Sequence, residues 1–309
     1  MNLYSTVRAR SARRRRTVGA SLAILGALAS SPALPQTPDA DAIRRGEYVF
    51  NAAGCLGCHT DEKNKGPRLA GGRPIKTPFG TFYGPNITPD PANGIGGWTE
   101  AQFLRALREG VRADGAHLFP AFPYTSFTGM TEGDAKDLWA YLRSVPAVAQ
   151  PNKPHDVGFP FNVRLLMLGW KWLFFAPGAF KPNPLKSVEV NRGAYLATAL
   201  GHCQECHSPR NLFGGIQGGM AFAGGAAPES IAPNLTPDPE TGLGKWSASD
   251  MAELLKSGMT PDGDFVGSEM TEVVNNATGK LTDADRQAIV AYLRSLAPVR
   301  HRPPAKPKS

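Results

Sequence analysis

Apolar residues recur at helical spacing in three short stretches of the first half of the chain, and three matching stretches follow in the second half. Phe103, Leu104, Leu107 and Val111 repeat every three or four residues, which predicts a helix with one buried face. Thr99-Glu100 precede it, and Ser247-Ala248-Ser249-Asp250 precede its counterpart. Both read as N-terminal caps, because a short polar side chain there accepts a hydrogen bond from the unpaired first amides. A closing helix is predicted after Thr131-Glu132-Gly133-Asp134 and again after Thr282-Asp283-Ala284-Asp285. It presents Leu138, Tyr141 and Leu142 to the core in one case, and Ile289, Tyr292 and Leu293 in the other. An opening helix runs through residues 42–53 and stops near Gly54. Between the helices lie segments rich in glycine and proline, which need another scaffold to fold around.

The halves are copies. Arg45-Gly46-Glu47-Tyr48 returns as Arg192-Gly193-Ala194-Tyr195, and Cys55-Leu56-Gly57-Cys58-His59 as Cys203-Gln204-Glu205-Cys206-His207. Pro85-Asn86-Ile87-Thr88-Pro89-Asp90-Pro91 returns as Pro233-Asn234-Leu235-Thr236-Pro237-Asp238-Pro239, Trp98 as Trp246, and Asp114-Gly115 as Asp262-Gly263. From the first cysteine to the Asp-Gly pair the offset is constant at 148 residues. Each copy closes on Ala-Tyr-Leu-Arg-Ser, at 140–144 and 291–295. A duplicated domain of roughly 110 residues follows, a common domain size. The expected boundaries are 41–150 and 187–298, joined by a linker at 151–186 and followed by a basic tail at 299–309. The expected fold class is mainly α.

All 4 cysteines sit in two C-x-x-C-H motifs. Thiols at i and i+3 lie on one side of a helical turn, where they can add to the two vinyl groups of a haem, and the adjoining histidine can then bind the iron. Cys55, Cys58, Cys203 and Cys206 are therefore the expected attachment points of two covalent haems c, with His59 and His207 on the iron. A zinc site built from the four cysteines, or a pair of disulfides, would leave both histidines as coincidences in a chain with 6 His among 309 residues.

A methionine sulfur is the usual opposite ligand in electron-transfer cytochromes c. Met130 is the only methionine between His59 and the end of the first copy. The second copy offers Met220, Met251, Met259 and Met270; the offset of 148 sets the first three opposite Gly72, Phe103 and Val111. Met270 stands in Met-Thr-Glu ahead of a closing helix, as Met130 does, so Met130 and Met270 are the expected pair. His117, whose counterpart is Phe265, is the rival in the first copy; surface or core roles are expected for His117, His155, His202 and His301. Tyr48, Tyr195, Trp98 and Trp246 are expected to pack on haem or core, a phenol or indole meeting a propionate in the functional version. Asn86 and Asn234 are expected to hold backbone or propionate groups.

Charge changes the picture only at the ends. The formal net charge is +8, but six arginines and no acid lie in residues 1–29, which leaves 28 bases against 26 acids. A near-neutral body gives no reason to expect nucleic-acid binding. The run Arg13 to Arg16, the apolar stretch from Val18 to Leu28 and the small residues at Ala27-Leu28-Ala29 read as a cleaved export signal, with a retained anchor as the alternative. Residues 151–186 contain Phe159-Pro160-Phe161-Asn162 and an aromatic-rich run from Leu165 to Phe175. They read as a linker packed at the domain interface, or as a docking patch for a partner or a membrane surface.

Over about residues 40–298 the chain resembles the cytochrome c subunits of bacterial membrane-associated dehydrogenases acting on alcohols, gluconate, sorbitol or aldehydes. The likeness rests on the two C-x-x-C-H motifs, on Gly84-Pro85-Asn86-Ile87-Thr88-Pro89-Asp90 with Gly96-Gly97-Trp98-Thr99, and on Phe122-Pro123-Tyr124 ahead of Met130. Phe159-Pro160-Phe161-Asn162 and Gly267-Ser268-Glu269-Met270 add to it. The resemblance implies two tandem cytochrome c-like domains, each a few helices wrapped around a covalent haem, with His59–Met130 and His207–Met270 as ligand pairs. It implies a periplasmic electron-transfer subunit or carrier. The donor would be a dehydrogenase catalytic subunit; the acceptor would be an oxidase, a quinone-reactive protein or another cytochrome. Many relatives carry a third haem and a C-terminal membrane helix. Here two motifs and a polar tail favour a soluble carrier, or a subunit held peripherally at the membrane by its partner. The alternative is a dihaem enzyme such as a peroxidase, which needs one iron with an open position.

Overall fold

Each predicted cap closes a helix end. The computed structural model describes residues 39–227 and 230–303. The export segment 1–29 and the last six residues of the basic tail lie outside the described residues. Helix α1 (Ala40–Ala52) is followed by the short attachment helix α2 (Cys55–His59), with Gly54 between them in the left-handed region at φ 60°. Helix α3 (Glu100–Glu109) begins at Thr99 in a full capping box with Gln102. After α4 (Tyr124–Phe127) the first copy ends in α5 (Glu132–Ser144), where Thr131 Oγ1 accepts from the Asp134 amide.

The linker contributes α6 (Leu166–Phe174), and the second copy then repeats the order of the first. Helix α7 (Val188–Tyr195) runs into a wider π turn, Leu196–Leu200, before the Cys203–Glu205 turn. Helix α8 (Ala248–Ser257) is boxed by Ser247 and Asp250. Helix α9 (Ser268–Asn276) follows, and α10 (Asp283–Arg294), capped by Thr282, closes the copy.

Opening and closing helices cross at a glycine in both copies. A side chain at Gly46 would stand 1.9 Å from the Asp137 carbonyl oxygen, and one at Gly193 would stand 1.8 Å from that of Ala288. The crossings let Val49, Phe50, Leu138 and Leu142, and Leu196, Ile289 and Leu293, share one apolar core that runs through both copies. Sheet structure is slight. Strand β1 (Pro74–Thr77) pairs antiparallel with β2 (Gly80–Tyr83) through a two-residue turn, and the linker adds β3 (Asp156–Val157) to the other edge of β2. In the second copy β4 (Gly225–Ala226) pairs with β5 (Ile231–Ala232).

The linker thus packs on the first copy, and it also leaves apolar side chains outside. Lys171, the one charge of α6, turns inward to donate to the carbonyls of Glu109 (2.5 Å) and Gly110 (2.8 Å) at the end of α3. The outer face of the linker carries Leu165, Trp172 and Leu173, of which Trp172 is 85% exposed. No described helix is long and apolar enough to cross a membrane.

Candidate functional site

Both C-x-x-C-H turns hold their histidine in the same way. His59 Nδ1 donates to the Pro85 carbonyl at 2.7 Å, and His207 Nδ1 donates to that of Pro233 at 2.8 Å. Each bond fixes the tautomer and leaves Nε2 with its lone pair, which is how a metal-binding imidazole is oriented. Burial lowers the pKa of both rings, which favours the neutral, ligating form. The prolines belong to the Pro-Asn-(Ile/Leu)-Thr-Pro-Asp loops, so the repeated loop positions the ligand.

The four thiols form no disulfide. Burial pushes Cys55 and Cys206 up to about 12 and Cys203 to about 11, and it raises Cys58 as well. Among the described residues no three His, Cys, Asp or Glu side chains converge on a common point, so these cysteines do not make a zinc cage.

A cavity of about 800 Å³ opens against Cys55, Cys58 and His59. Its apolar wall includes Trp98, Leu107, Phe119, Phe122 and Phe127, and a basic side carries Arg112, Lys153 and Arg164. Apolar walls suit a porphyrin face, and guanidinium groups suit its two carboxylates. The residues present therefore fit a haem.

The methionines fall differently from one another. Met270 lies half-buried in the first turn of α9. Met130 has no exposed surface and belongs to the core, directly ahead of the Thr131 cap. The strand-like bridges Val111↔His117 and Met259↔Phe265 keep the offset of 148, as do the bonds from Leu118 N to Gly110 O and from Val266 N to Gly258 O. Four residues further on, that register sets Phe122 opposite Met270. Between Val266 and Thr282 the second copy has three residues more than the first has between Leu118 and Thr131, and the caps Thr131 and Thr282 pair Met130 with Leu281, which is also buried. The shared Met-Thr-Glu context that pairs Met130 with Met270 in the sequence does not follow the fold.

Other expectations shift as well. The Tyr48 and Tyr195 phenols donate to Asp285 and Asp134, each in the opposite copy, in place of the expected propionate. Asn86 and Asn234 hold backbone: the Asn86 amide donates to Val148 O and Gln150 O, and that of Asn234 to Val299 O. Two histidines with expected surface or core roles, His155 and His202, line the first cavity. His202 takes the left-handed conformation at φ 40°, where its counterpart is Gly54, and its ring lies edge-on to Phe127. A histidine where the repeat has glycine is the signal in the sequence that marks it. Glu205, inside the second motif, accepts from Thr125 Oγ1 (2.8 Å) and Ser126 Oγ (3.0 Å) of the first copy.

A family model for cytochrome c matches residues 43–146 and 190–297. A diheme cytochrome c-type protein of Cereibacter sphaeroides is 45% identical over 81% of this chain and 84% of its own length. The cytochrome c subunit of the quinone-type alcohol dehydrogenase of Gluconacetobacter polyoxogenes is 44% identical over 88% of this chain, which spans 60% of that subunit. The fructose dehydrogenase cytochrome subunit of Gluconobacter japonicus is 40% identical over 85% of this chain and 54% of its own length. Both family matches fall on the copies that carry the attachment turns, and the chain belongs to the cytochrome c family, whose covalent haem c carries electrons.

Proposed function

We propose that the chain carries two covalent haems and transfers electrons from the catalytic subunit of a periplasmic dehydrogenase toward the respiratory chain. The observation that carries this reading is the pair of attachment turns, each with two free thiols three residues apart and an imidazole fixed by a proline carbonyl, set against one continuous core. Cys55 and Cys58, and Cys203 and Cys206, would hold the two groups; His59 and His207 would bind the irons, and Met270 would supply the sulfur at the second. Met130, the sulfur expected for the first, stands in the core. A bound haem supplies a one-electron couple. The protein's part is to hold the imidazoles, to keep water from the ring faces with side chains such as Trp98 and Phe122, and to fix the two sites relative to each other.

The alcohol, fructose and gluconate dehydrogenase subunits among the relatives support a dehydrogenase as donor. The exposed linker face at Leu165, Trp172 and Leu173 supports a docking surface for such a partner. Residues 1–29 support export to the periplasm, where the thioethers would form. Expression alongside haem-attachment machinery tests the proposal. The mature protein should gain two haem masses, show a haem c spectrum when reduced, and be reduced by a quinone- or flavin-dependent dehydrogenase. A colourless protein at its bare-chain mass would sink it.

A further inference from the structure

We propose that the first site has no protein sulfur ligand, and that its iron keeps a position open to a small neutral molecule such as carbon monoxide or nitric oxide. This rests on the covalent haem proposed at Cys55 and Cys58. In the register that both copies keep as far as Leu118 and Val266, the residue opposite Met270 is Phe122. Phe122 lines the cavity that adjoins His59 and packs edge-on against Phe127, with ring centroids 5.5 Å apart. A phenyl ring offers iron no lone pair.

Met130 has a local explanation. It occupies the position before the N-cap of α5, where an apolar residue packs back onto the fourth helical residue. That residue is Ala135, fully buried in the same core cluster, and the second copy uses Leu281 at the same place. Leucine cannot ligate, so the position asks for apolar bulk.

Two other nitrogen donors line the cavity. His155 accepts the Tyr83 amide at Nδ1 (3.1 Å) and meets Phe82 and Phe119 edge-on. Its neutral ring therefore carries the proton on Nε2 and has no lone pair left for iron. His202 lies edge-on to Phe127, with centroids 5.6 Å apart, and takes a position where the first copy has Gly54. The cavity that Phe122 lines is also lined by Leu118, Phe119, Ala121 and Phe127. These apolar side chains suit a small neutral ligand, which needs no charged partner.

Carbon monoxide titration of the reduced, full-length holoprotein tests this. One of the two haems should bind it. The oxidised wild type should show the sulfur-to-iron band of a single methionine-ligated haem. Phe122→Met should abolish carbon monoxide binding and double that band, whereas Met130→Leu should match the wild type in both. Binding to neither haem, binding to both, or loss of a sulfur band in Met130→Leu would overturn the proposal. A bis-imidazole signal that vanishes in His202→Gly would do so too. Two haems by mass keep the electron-transfer reading standing whichever way the titration falls.

Discussion

The Tyr48 phenol of the first copy donates to Oδ2 of Asp285 in the second at 2.6 Å, and it also accepts the Thr282 amide at 3.2 Å. The same bonds run in the opposite direction: Tyr195 donates to Asp134 and accepts the Thr131 amide. Each copy's opening helix thus ties down the capped end of the other's closing helix. A duplicated domain that exchanges equivalent bonds in both directions has an approximate two-fold relation between its halves. The two sites are then held by the same contacts that hold the fold.

Removing either phenol should loosen both copies together. A hydrogen bond to a charged group contributes about 1.5–3 kcal/mol. Tyr48→Phe leaves Asp285 still bonded to Arg192, so it belongs at the lower end; Tyr195, only 5% exposed, belongs higher. Thermal unfolding should stay a single transition and fall by about 2–4 °C per kcal/mol lost. Two separated transitions in wild type would show that the copies unfold independently.

Much of this is readable from residues alone. The caps at Thr99, Thr131, Ser247 and Thr282, the glycine stop after the opening helix and the attachment turns all follow from local chemistry that tertiary packing does not override. The partners of Tyr48 and Tyr195 are not readable, because a repeat shows which residues correspond and does not show which copy they touch. The Met-Thr-Glu match at Met130 and Met270 is not decisive for a related reason. Thr131 and Glu132, the neighbours of Met130, belong to a helix start, whereas Met270 is the third residue of α9, so a matching tripeptide joins two positions that differ in the fold.

Acid should weaken the Asp285 junction. Burial alone would raise this carboxyl, but the bonds from Arg192 and Tyr48 outweigh it and hold the pKa below the ordinary 3.8. The unfolded chain therefore binds the proton more readily than the folded one. The stabilisation is complete above about pH 4 and is lost as pH falls through the lower, folded value. Urea unfolding of wild type and Asp285→Asn should differ most at neutral pH and converge below about pH 4. A gap that stays constant down to about pH 3 would contradict the assignment.

The helix crossings should separate two kinds of glycine. An alanine methyl at Gly46 or Gly193 would meet backbone carbonyls of Asp137 or Ala288, which cannot swing aside. Each substitution should cost about 1–3 kcal/mol or more, as overpacking does. Gly133, in the first turn of α5, has open space where an added methyl would point, with nothing within 4 Å. Gly133→Ala should stabilise by about 0.4–1 kcal/mol through the unfolded state. In denaturant, the midpoint of Gly133→Ala should lie above that of wild type and the midpoints of the other two below it.

The linker face should govern partner exchange without touching the sites. Trp172 is 85% exposed and Leu173 62% exposed on a helix whose lysine is turned inward. If a dehydrogenase docks there, Trp172→Glu should slow reduction about 30-fold, the effect of losing a contact worth about 2 kcal/mol at an interface. Spectra and potentials of the haems should not move. An unchanged rate would place the docking surface elsewhere.

Asn234 tests whether the repeated loop fixes the chain beyond the last helix. It is 1% exposed; its amide donates to Val299 O (2.7 Å) and Thr241 Oγ1 (3.0 Å), while Oδ1 accepts from the Thr236 amide (2.9 Å) and hydroxyl (2.7 Å). An asparagine alone supplies two donors and two acceptor sites in that shape. Asn234→Asp keeps the size but sets a carboxylate oxygen against the Val299 carbonyl, in a place where water cannot screen it. Asn234→Ala leaves the Thr236 amide without a partner and the Val299 carbonyl with only the long bond from Thr236 Oγ1 (3.4 Å), at about 1–3 kcal/mol for a buried group left unpaired. Both variants should release the segment around Val299 to limited proteolysis while α10, held by Asp285 and its core face, stays protected. Because the same loop carries Pro233, whose carbonyl orients His207, the variants should also broaden the spectrum of the second haem and leave that of the first unchanged. Equal protection of Val299 in wild type and both variants would show that Asn234 fills space without tethering the chain.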